Sequence, residues 1–566
     1  MTTDPNTTKA GESRERAGQS TSPSCARRPI CRGLVLTVCL LACIMPVPGC
    51  AGGNAATASK GLYLVVTREI FAEAAQPLIE KRRDEGFEVV VSFQSPDEAI
   101  RALSPRRPGL LLLVGDEQFL VKGRVVELGN GSFGVITGDR YDFMDSDWRV
   151  PCKWEKRYRW REKHRRDFAS DAAWGDLDGD RLPDIPVGRL PVRTPDELSR
   201  IVNKTLEYER QPPSLDDLRL PVFAGDPMND LERDGIAWTL LGTMATQFLV
   251  SGVKADGPPW ADVWLLSASP GQPFRGWPGD YPDLLSERLR RGGFLAILIG
   301  HGSQDSFSFA RHQGEYVRYT AQDASRRLAQ GRPGPPLAIF ACNCGDFTFV
   351  EDCLAESLLR MPAGPVAVMA ATAVSDSLPD YLVAKAMLQV ARREGVERLG
   401  EFWLQSQRTM PVNRNPTLEG ILLNSGTGYA GEEPDLDKLR RDSQLWSALL
   451  GDPATRLRLP RHLNAQVTHD GERWQWRVQK PRGAVRLHVA VRPRNTQTLG
   501  TAAATNKQEL RDLLRSANEG FAFQELPAPP PDGPWEGTID QQGTLRLVAF
   551  TPDSLYVAVL ELEDND

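Results

Sequence analysis

His301 and Cys342 each combine a reactive side chain with an abrupt setting. His301 follows the apolar run 294–299 and sits between Gly300 and Gly302; Cys342 follows the apolar run 337–340 and Ala341. A thiol is a weak nucleophile until it loses its proton, and a neighbouring imidazole can take that proton or stabilise the thiolate. Apolar runs of this length bounded by glycines read as buried strands, and the stretch 320–330 between them reads as a crossover helix. Two parallel neighbours joined by such a crossover bring their carboxyl ends side by side, where open α/β sheets keep their sites. The spacing therefore predicts that His301 stands beside Cys342. The chain has six histidines, His164, His301, His312, His462, His469 and His488, and only His301 follows a buried strand between glycines. His312, the nearest substitute, lies in a polar loop.

Cys344 competes with Cys342 for the role of nucleophile. A Cys-x-Cys pair can also bind a metal or form a redox couple, but metal sites need further Cys or His at similar spacing and none follows. Oxidative blocking of Cys342 by Cys344 is the side role that fits the pair. A second cluster, Asp176, Asp178, Asp180 and Asp184, spaces carboxylates around Gly179. Hard cations need several oxygens on a tightly turning backbone, so a structural calcium is expected here, against the rival of a surface turn built from turn-forming aspartates. The glutamate that would close an EF-hand loop is missing. No cofactor is expected for catalysis.

The order of motifs resembles the caspase-like cysteine peptidases, and within them the gingipain family, whose cysteine segment also reads Ala-Cys-x-x-Gly-Asp-Phe, here 341–347. The likeness continues through 353–360 and 366–372, covers roughly 61–460, and includes the Ile-Pro-Val-Gly-Arg segment at 185–189 and the Gly-Asp-Pro segment at 451–453. The resemblance implies a caspase-like three-layer α/β/α catalytic unit, with Cys342 as nucleophile and His301 as its base. It also implies an oxyanion hole from the amides of Gly302 and Cys342, and Asp226 as the carboxylate that orients the imidazole. It places the acid that would select Arg or Lys at Asp230, with Asp234 as second choice. Ser377 stands where the family has an aromatic wall, so the pocket departs from the pattern.

Stepping outward along the chain, strand-helix-strand patterns at 61–67, 71–86, 87–93, 96–103 and 109–116 open a first α/β subdomain, 61–215, closed by the segment 185–194 and a helix at 196–210. A second, catalytic subdomain spans 218–460. It begins with the strand 220–226, continues through a helix near 231–250, the apolar run 263–266 and a helix at 281–291, and after the cysteine adds a strand at 365–370 and a helix at 379–393. From 463 to 566 apolar and polar residues alternate between Pro/Gly-rich connections, which indicates an Ig-like antiparallel β-sandwich. Between Trp148 and Arg166 lie nine Lys or Arg with Trp148, Trp154, Tyr158 and Trp160 interspersed. Such a stretch can bind phosphates and bases, but a solvated insertion is the simpler reading, and a loop cut by an Arg- or Lys-directed peptidase is a third.

The 566 residues leave room for about three or four domains. With 68 basic against 74 acidic residues, no nucleic-acid partner is expected. Residues 1–50 run from a polar start through Arg27, Arg28 and Arg32 into an apolar run at 34–45, the layout of an export signal and short for a membrane span. It ends in Val47-Pro48-Gly49-Cys50, which resembles a bacterial lipoprotein cleavage site except for Pro48, so the mature chain is expected in the cell envelope, lipid-anchored through Cys50, or secreted after a plain signal cut. The polar start is long for a signal, which suits translation beginning after Met1. Of nine cysteines, four lie in this segment and Cys50, Cys152, Cys342, Cys344 and Cys353 remain, which spells out no disulfide framework. The short interval from Cys50 to the first strand leaves no room for a large inhibitory propeptide. The function implied is an exported cysteine endopeptidase acting on protein or peptide substrates, after Arg or Lys; the alternative is a non-catalytic surface protein that kept the fold for binding.

Overall fold

A computed structural model describes residues 60–117, 146–156, 167–226, 256–416, 435–494 and 506–563, with short pieces at 119–120, 124–128, 132–136, 142–143, 252–253 and 419–420. Cys50, the helix near 231–250, Asp230, Asp234 and the stretch 157–166 lie outside the described residues.

Ten strands form one sheet. Across it run Asp262–Ser267, Arg219–Ala224, Ala296–Ile299, Leu337–Phe340, Val368–Ala371, Ser447–Leu450, Val187–Leu190, Leu110–Val114, Leu62–Val66 and Glu88–Ser92. The first five are mutually parallel, and so are the last four, while Val368–Ala371 pairs antiparallel with Ser447–Leu450. Ser447–Leu450 is parallel to Val187–Leu190. The two expected α/β subdomains therefore share one sheet, and their strands run in opposite directions. Strands such as Leu110–Val114 and Leu337–Phe340 are buried throughout, which is why they read as unbroken apolar runs.

Successive side chains of a strand point to opposite faces, and the cores follow that rule. Leu337 and Ile339 join the core on one face, with Leu358 and Leu359 of the helix Leu354–Arg360; Ala338 and Phe340 join the other, with Leu382 and Met387 of the helix Ser377–Val390. In the first half, Leu111 and Leu113 pack with Ala99 of the helix Pro96–Ala102. Helices on both faces of a central sheet make the three-layer α/β/α architecture. Their starts are specified locally. Thr194 caps the helix Pro195–Arg210 by accepting from Glu197 N, with Pro195 at its first turn, and Ser95 with Glu98 forms a reciprocal capping box.

The segment between the histidine and cysteine strands holds more than a crossover helix. A hairpin, Ser306–His312 with Glu315–Thr320, pairs with His301–Gly302 before the short helix Ala321–Arg327 begins. Its two-residue turn has Gln313 at φ 53° and Gly314 at φ 87°, the left-handed pair that a tight hairpin turn requires.

The C-terminal region is a β-sandwich. A sheet of Arg461–His462, Leu555–Leu562, Gly543–Phe550, Arg486–Pro493 and Gln524–Leu526 packs on a sheet of Ala465–His469, Trp474–Val478 and Glu536–Ile539 around Trp474, Trp476, Val489 and Leu547. The alternating sequence predicts this, but not the helix Lys507–Glu519, which leaves the sandwich and seats Leu514, Ala517 and Phe521 in the catalytic cores. The outer face of the larger sheet covers Leu218 with Val548, Phe550, Leu555 and Val557. Among the described residues no helix is long and apolar enough to cross a membrane.

Candidate active site

Three neighbouring strands present three candidate residues in one row. Ala224 is in register with Ile299, and Ile299 with Phe340. Asp226, His301 and Cys342 each lie two residues beyond those aligned positions. The ladder continues one step past them, Gly225 N donating to Ile299 O at 2.8 Å and Gly300 N to Phe340 O at 3.1 Å, so the three chains enter the site side by side. Adjacent strands are separated by about 4.8 Å, which sets the scale of the row. Asp226 N donates to Phe309 O at 2.7 Å, and Ser269 Oγ lies 3.5 Å from its Oδ1.

Gly302 has no room for a side chain. A Cβ there would lie 2.5 Å from Cys344 Sγ, 2.9 Å from Ala341 Cβ and 3.0 Å from Cys342 O. The backbone after the histidine thus rests directly on the cysteine loop. In that loop Asn343 takes φ 58°, and its N–H donates to Ala373 O at 2.9 Å while Gly345 N donates to Ala371 O at 2.9 Å. A residue in the left-handed region turns the chain sharply between Cys342 and Cys344.

The two rival thiols are thereby separated. Cys342 is half-buried, with Sγ 3.9 Å from both the carbonyl and the hydroxyl of Ser375. Cys344 is fully buried, with Sγ 3.7 Å from Ser306 O, and burial, then the charges of Cys342 and Asp305, push its thiol well above the ordinary range. Burial does the same to Cys152 and Cys353. A buried thiol that keeps its proton is inert, whereas a nucleophile must be reachable.

Polar residues around the cysteine loop hold this arrangement, among them Arg189 and Asp346 from within the segments 185–189 and 341–347. Desolvation pushes the Asp346 carboxyl up to about 6, against hydrogen bonds from Thr348 N and Oγ1. Arg189, fully buried, makes a bidentate pair with Asp171 (2.6 and 2.7 Å), donates to Gly115 O and Val150 O, and stacks over Phe347 at 4.7 Å. Lys204 donates to the carbonyls of Leu359, Met361 and Pro365 and so closes the helix that follows the cysteine loop. Ser375 lies too far along the chain from Cys342 for any spacing rule to link them.

Ser377 opens the helix Ser377–Val390, two residues after Ser375. Asp176, Asp178 and Asp184 bring carboxylate oxygens within 4.8 Å of one another; Asp180 stands apart from that group and accepts from Leu182 N at 2.8 Å. The basic, aromatic stretch begins in a hairpin, Lys153–Lys156 with Asp167–Ser170, that springs from the first half of the sheet.

A reachable thiol and a histidine at the carboxyl ends of adjacent parallel strands, in a three-layer α/β/α sheet, define a cysteine peptidase of caspase-like fold. Residues 56–458 match peptidase family C25, and the chain belongs to that family. Curated relatives include gingipain R2 of Porphyromonas gingivalis, 22% identical over 316 residues that make up 53% of this chain and 36% of that protein. Gingipain R1 of the same species matches at the same identity over 27% of its length. The chain thus spans about a third of the length of these relatives. Similar solved structures include the complex of Porphyromonas gingivalis RgpB pro- and mature domains (14% identity, 89% of this chain and 100% of that chain, TM-score 0.46). They also include the Arg specific cysteine proteinase gingipain R (14% identity, 89% and 98%, TM-score 0.45).

Proposed function

We propose that this chain is an exported cysteine endopeptidase that cleaves peptide bonds after Arg or Lys, with Cys342 as nucleophile and His301 as acid and base. The observation that supports the reading is the register of Ile299 with Phe340, two residues before His301 and Cys342 respectively, together with Cys342 being the more accessible of the two thiols. The Cys342 thiolate attacks the scissile carbonyl carbon while His301 holds the proton it has taken. The oxyanion of the tetrahedral intermediate is met by the amides of Gly302 and Cys342. As the C–N bond breaks, imidazolium delivers its proton to the leaving amine and a thioester remains on Cys342. Water, deprotonated by His301, then attacks the thioester and releases the acid and the thiol. Asp226, next in the row, orients the imidazole and stabilises its charged form.

Asp230 supplies the negative charge for a cationic side chain of the substrate, a reading supported by its place just after the strand Arg219–Ala224 and by the Arg-specific relative. Charged partners in a desolvated pocket are sensitive to loss of one member, at roughly 3–5 kcal/mol. Asp230→Asn should cut turnover of Arg or Lys peptides by more than about a hundredfold and spare neutral ones. A peptide library digested by the purified protein checks this, and a profile with no basic preference before the cut sinks the assignment.

Export rests on residues 1–50, with lipidation of Cys50 the proposed anchor. Calcium at Asp176, Asp178 and Asp184 is proposed as a structural ligand, because their carboxylate oxygens lie within 4.8 Å of one another on a tightly turning backbone. The melting temperature should rise between chelator and millimolar calcium; an unchanged value removes the idea.

A further inference from the structure

We propose that Ser375 is a catalytic residue of this site, its hydroxyl donating a hydrogen bond to the Cys342 sulfur as that atom takes up negative charge. The inference rests on the peptidase reading and adds to it a neutral donor that faces the reacting atom. Cys342 Sγ lies 3.9 Å from the Ser375 carbonyl and 3.9 Å from the Ser375 hydroxyl, so one residue offers the sulfur both an acceptor and a donor.

Ser375 lies outside helix and strand, between the end of the strand Val368–Ala371 and the start of the helix Ser377–Val390. The chain that leads to it is fixed on both sides. Asn343 N, one residue after the cysteine, donates to Ala373 O at 2.9 Å. Thr372 donates its N–H to Trp446 O at 2.8 Å and its hydroxyl to Ala169 O at 2.6 Å. Just past Ser375, Asp376 O accepts from Asp380 N at 3.1 Å as the helix opens. The backbone at Ser375 is thus held against the cysteine loop by bonds within three residues of it.

The two contacts suit different protonation states of the sulfur. A thiol donates its S–H to the carbonyl oxygen. A thiolate cannot donate and is repelled by that oxygen, whereas a hydroxyl can turn its proton toward the charged sulfur. Hydrogen bonds to an ionised group are shorter and roughly twice as strong as neutral ones, and catalytic hydrogen bonds that are long in the free enzyme tighten as the reaction proceeds. In deacylation the C–S bond breaks with its electron pair left on sulfur, and the same hydroxyl meets that charge while its own proton stays on Oγ. The charged and titratable groups on the elements around the sulfur are His301 and Asp226 in the row, Asp305 in the turn after the histidine, Cys344 in the same loop, and Asp376 and Asp380 at the start of the helix Ser377–Val390. Removing the Ser375 hydroxyl alters none of those charges, so its effect reads the hydrogen bond itself.

The test measures the rate of Cys342 alkylation by iodoacetamide against pH, located by mass spectrometry, together with kcat and KM on a peptide that the wild type cleaves. The proteins are the full chain, Ser375→Ala and Ser375→Thr. In Ser375→Ala the midpoint of the alkylation rate should rise by about one pH unit, a tenfold shift of the thiol–thiolate balance. The value of kcat should fall by about tenfold with KM within about twofold, because the lost contact strengthens only as charge forms. Ser375→Thr keeps the hydroxyl and should return the midpoint to within about 0.3 unit of the wild type. Shortening a half-buried side chain outside helix and strand spares the fold, and a merely structural role would move the melting temperature in place of the midpoint. An unmoved midpoint in Ser375→Ala overturns the inference, as does a Ser375→Thr midpoint that moves as far as that of Ser375→Ala. A wild-type Cys342 that reacts no faster than an ordinary thiol at neutral pH removes the peptidase reading itself, so the two failures are told apart.

Discussion

Cys342 and Cys344 lie two residues apart, and their reactivities are set by which way the chain turns between them. Asn343 in the left-handed region swings Cys342 toward Ser375 and leaves Cys344 beneath Gly302, where burial holds its proton. Asp346 closes the same turn, and its titration is measurable. A carboxyl raised from its usual value to about 6 binds its proton more tightly in the folded than in the unfolded state. Its contribution to stability therefore falls as pH rises from about 4 to about 6 and is level above that. The melting temperature of the wild type minus that of Asp346→Asn should decline across this window; a difference independent of pH contradicts the assignment. At this scale the position of His301 and Cys342 just past two parallel neighbouring strands was legible, because an apolar strand that stops at a reactive residue is unusual. Ser375 was not, since a serine gains its role only from the fold that surrounds it.

Elements were legible wherever burial imposes a period. The strands of the central sheet and the capped helix Pro195–Arg210 follow apolar runs and a Thr-Pro-Asp-Glu start. The hairpin after His301 stands where a crossover helix alone is expected, although Ser-Phe-Ser-Phe and Tyr-Val-Arg-Tyr carry a period of two on either side of Gln313-Gly314. The helix Lys507–Glu519 was missed inside a region read as all-β. Asn506 accepts from Glu509 N at its start, and Leu510, Leu514 and Ala517 recur at helical spacing, so the signal was present. This helix also protects the sheet's edge. Asn518 Oδ1 accepts from Leu265 N at 2.7 Å and its Nδ2 donates to Leu265 O at 2.9 Å, filling the pairing positions of the edge strand Asp262–Ser267. Asn518→Leu should strand both backbone groups and cost about 2–4 kcal/mol in denaturant unfolding. A loss below about 0.5 kcal/mol, the range of ordinary surface changes, would show that the helix does not serve this edge.

In the whole molecule, opposed half-sheets meet at Ser447–Leu450, and a buried charge network crosses near that seam. Arg82, wholly buried, binds Asp452 at 2.7 Å, Glu209 at 3.0 Å and Glu85 at 2.8 Å, while Tyr63 OH donates to Asp452 at 2.7 Å. The Gly-Asp-Pro segment could be recognised as a motif, but not as the acceptor for an arginine some 370 residues earlier. The sandwich was legible from its alternation and its docking was not: Gly543–Phe550 is buried on both faces, because one faces the sandwich core and the other covers Leu218. The most direct test treats the folded chain with a peptidyl chloromethyl ketone ending in Arg or Lys and maps the adduct by mass spectrometry. A single adduct on Cys342, lost in His301→Ala while Cys152, Cys344 and Cys353 stay unmodified, is the predicted result; an adduct on Cys344, or none on the folded protein, would contradict it.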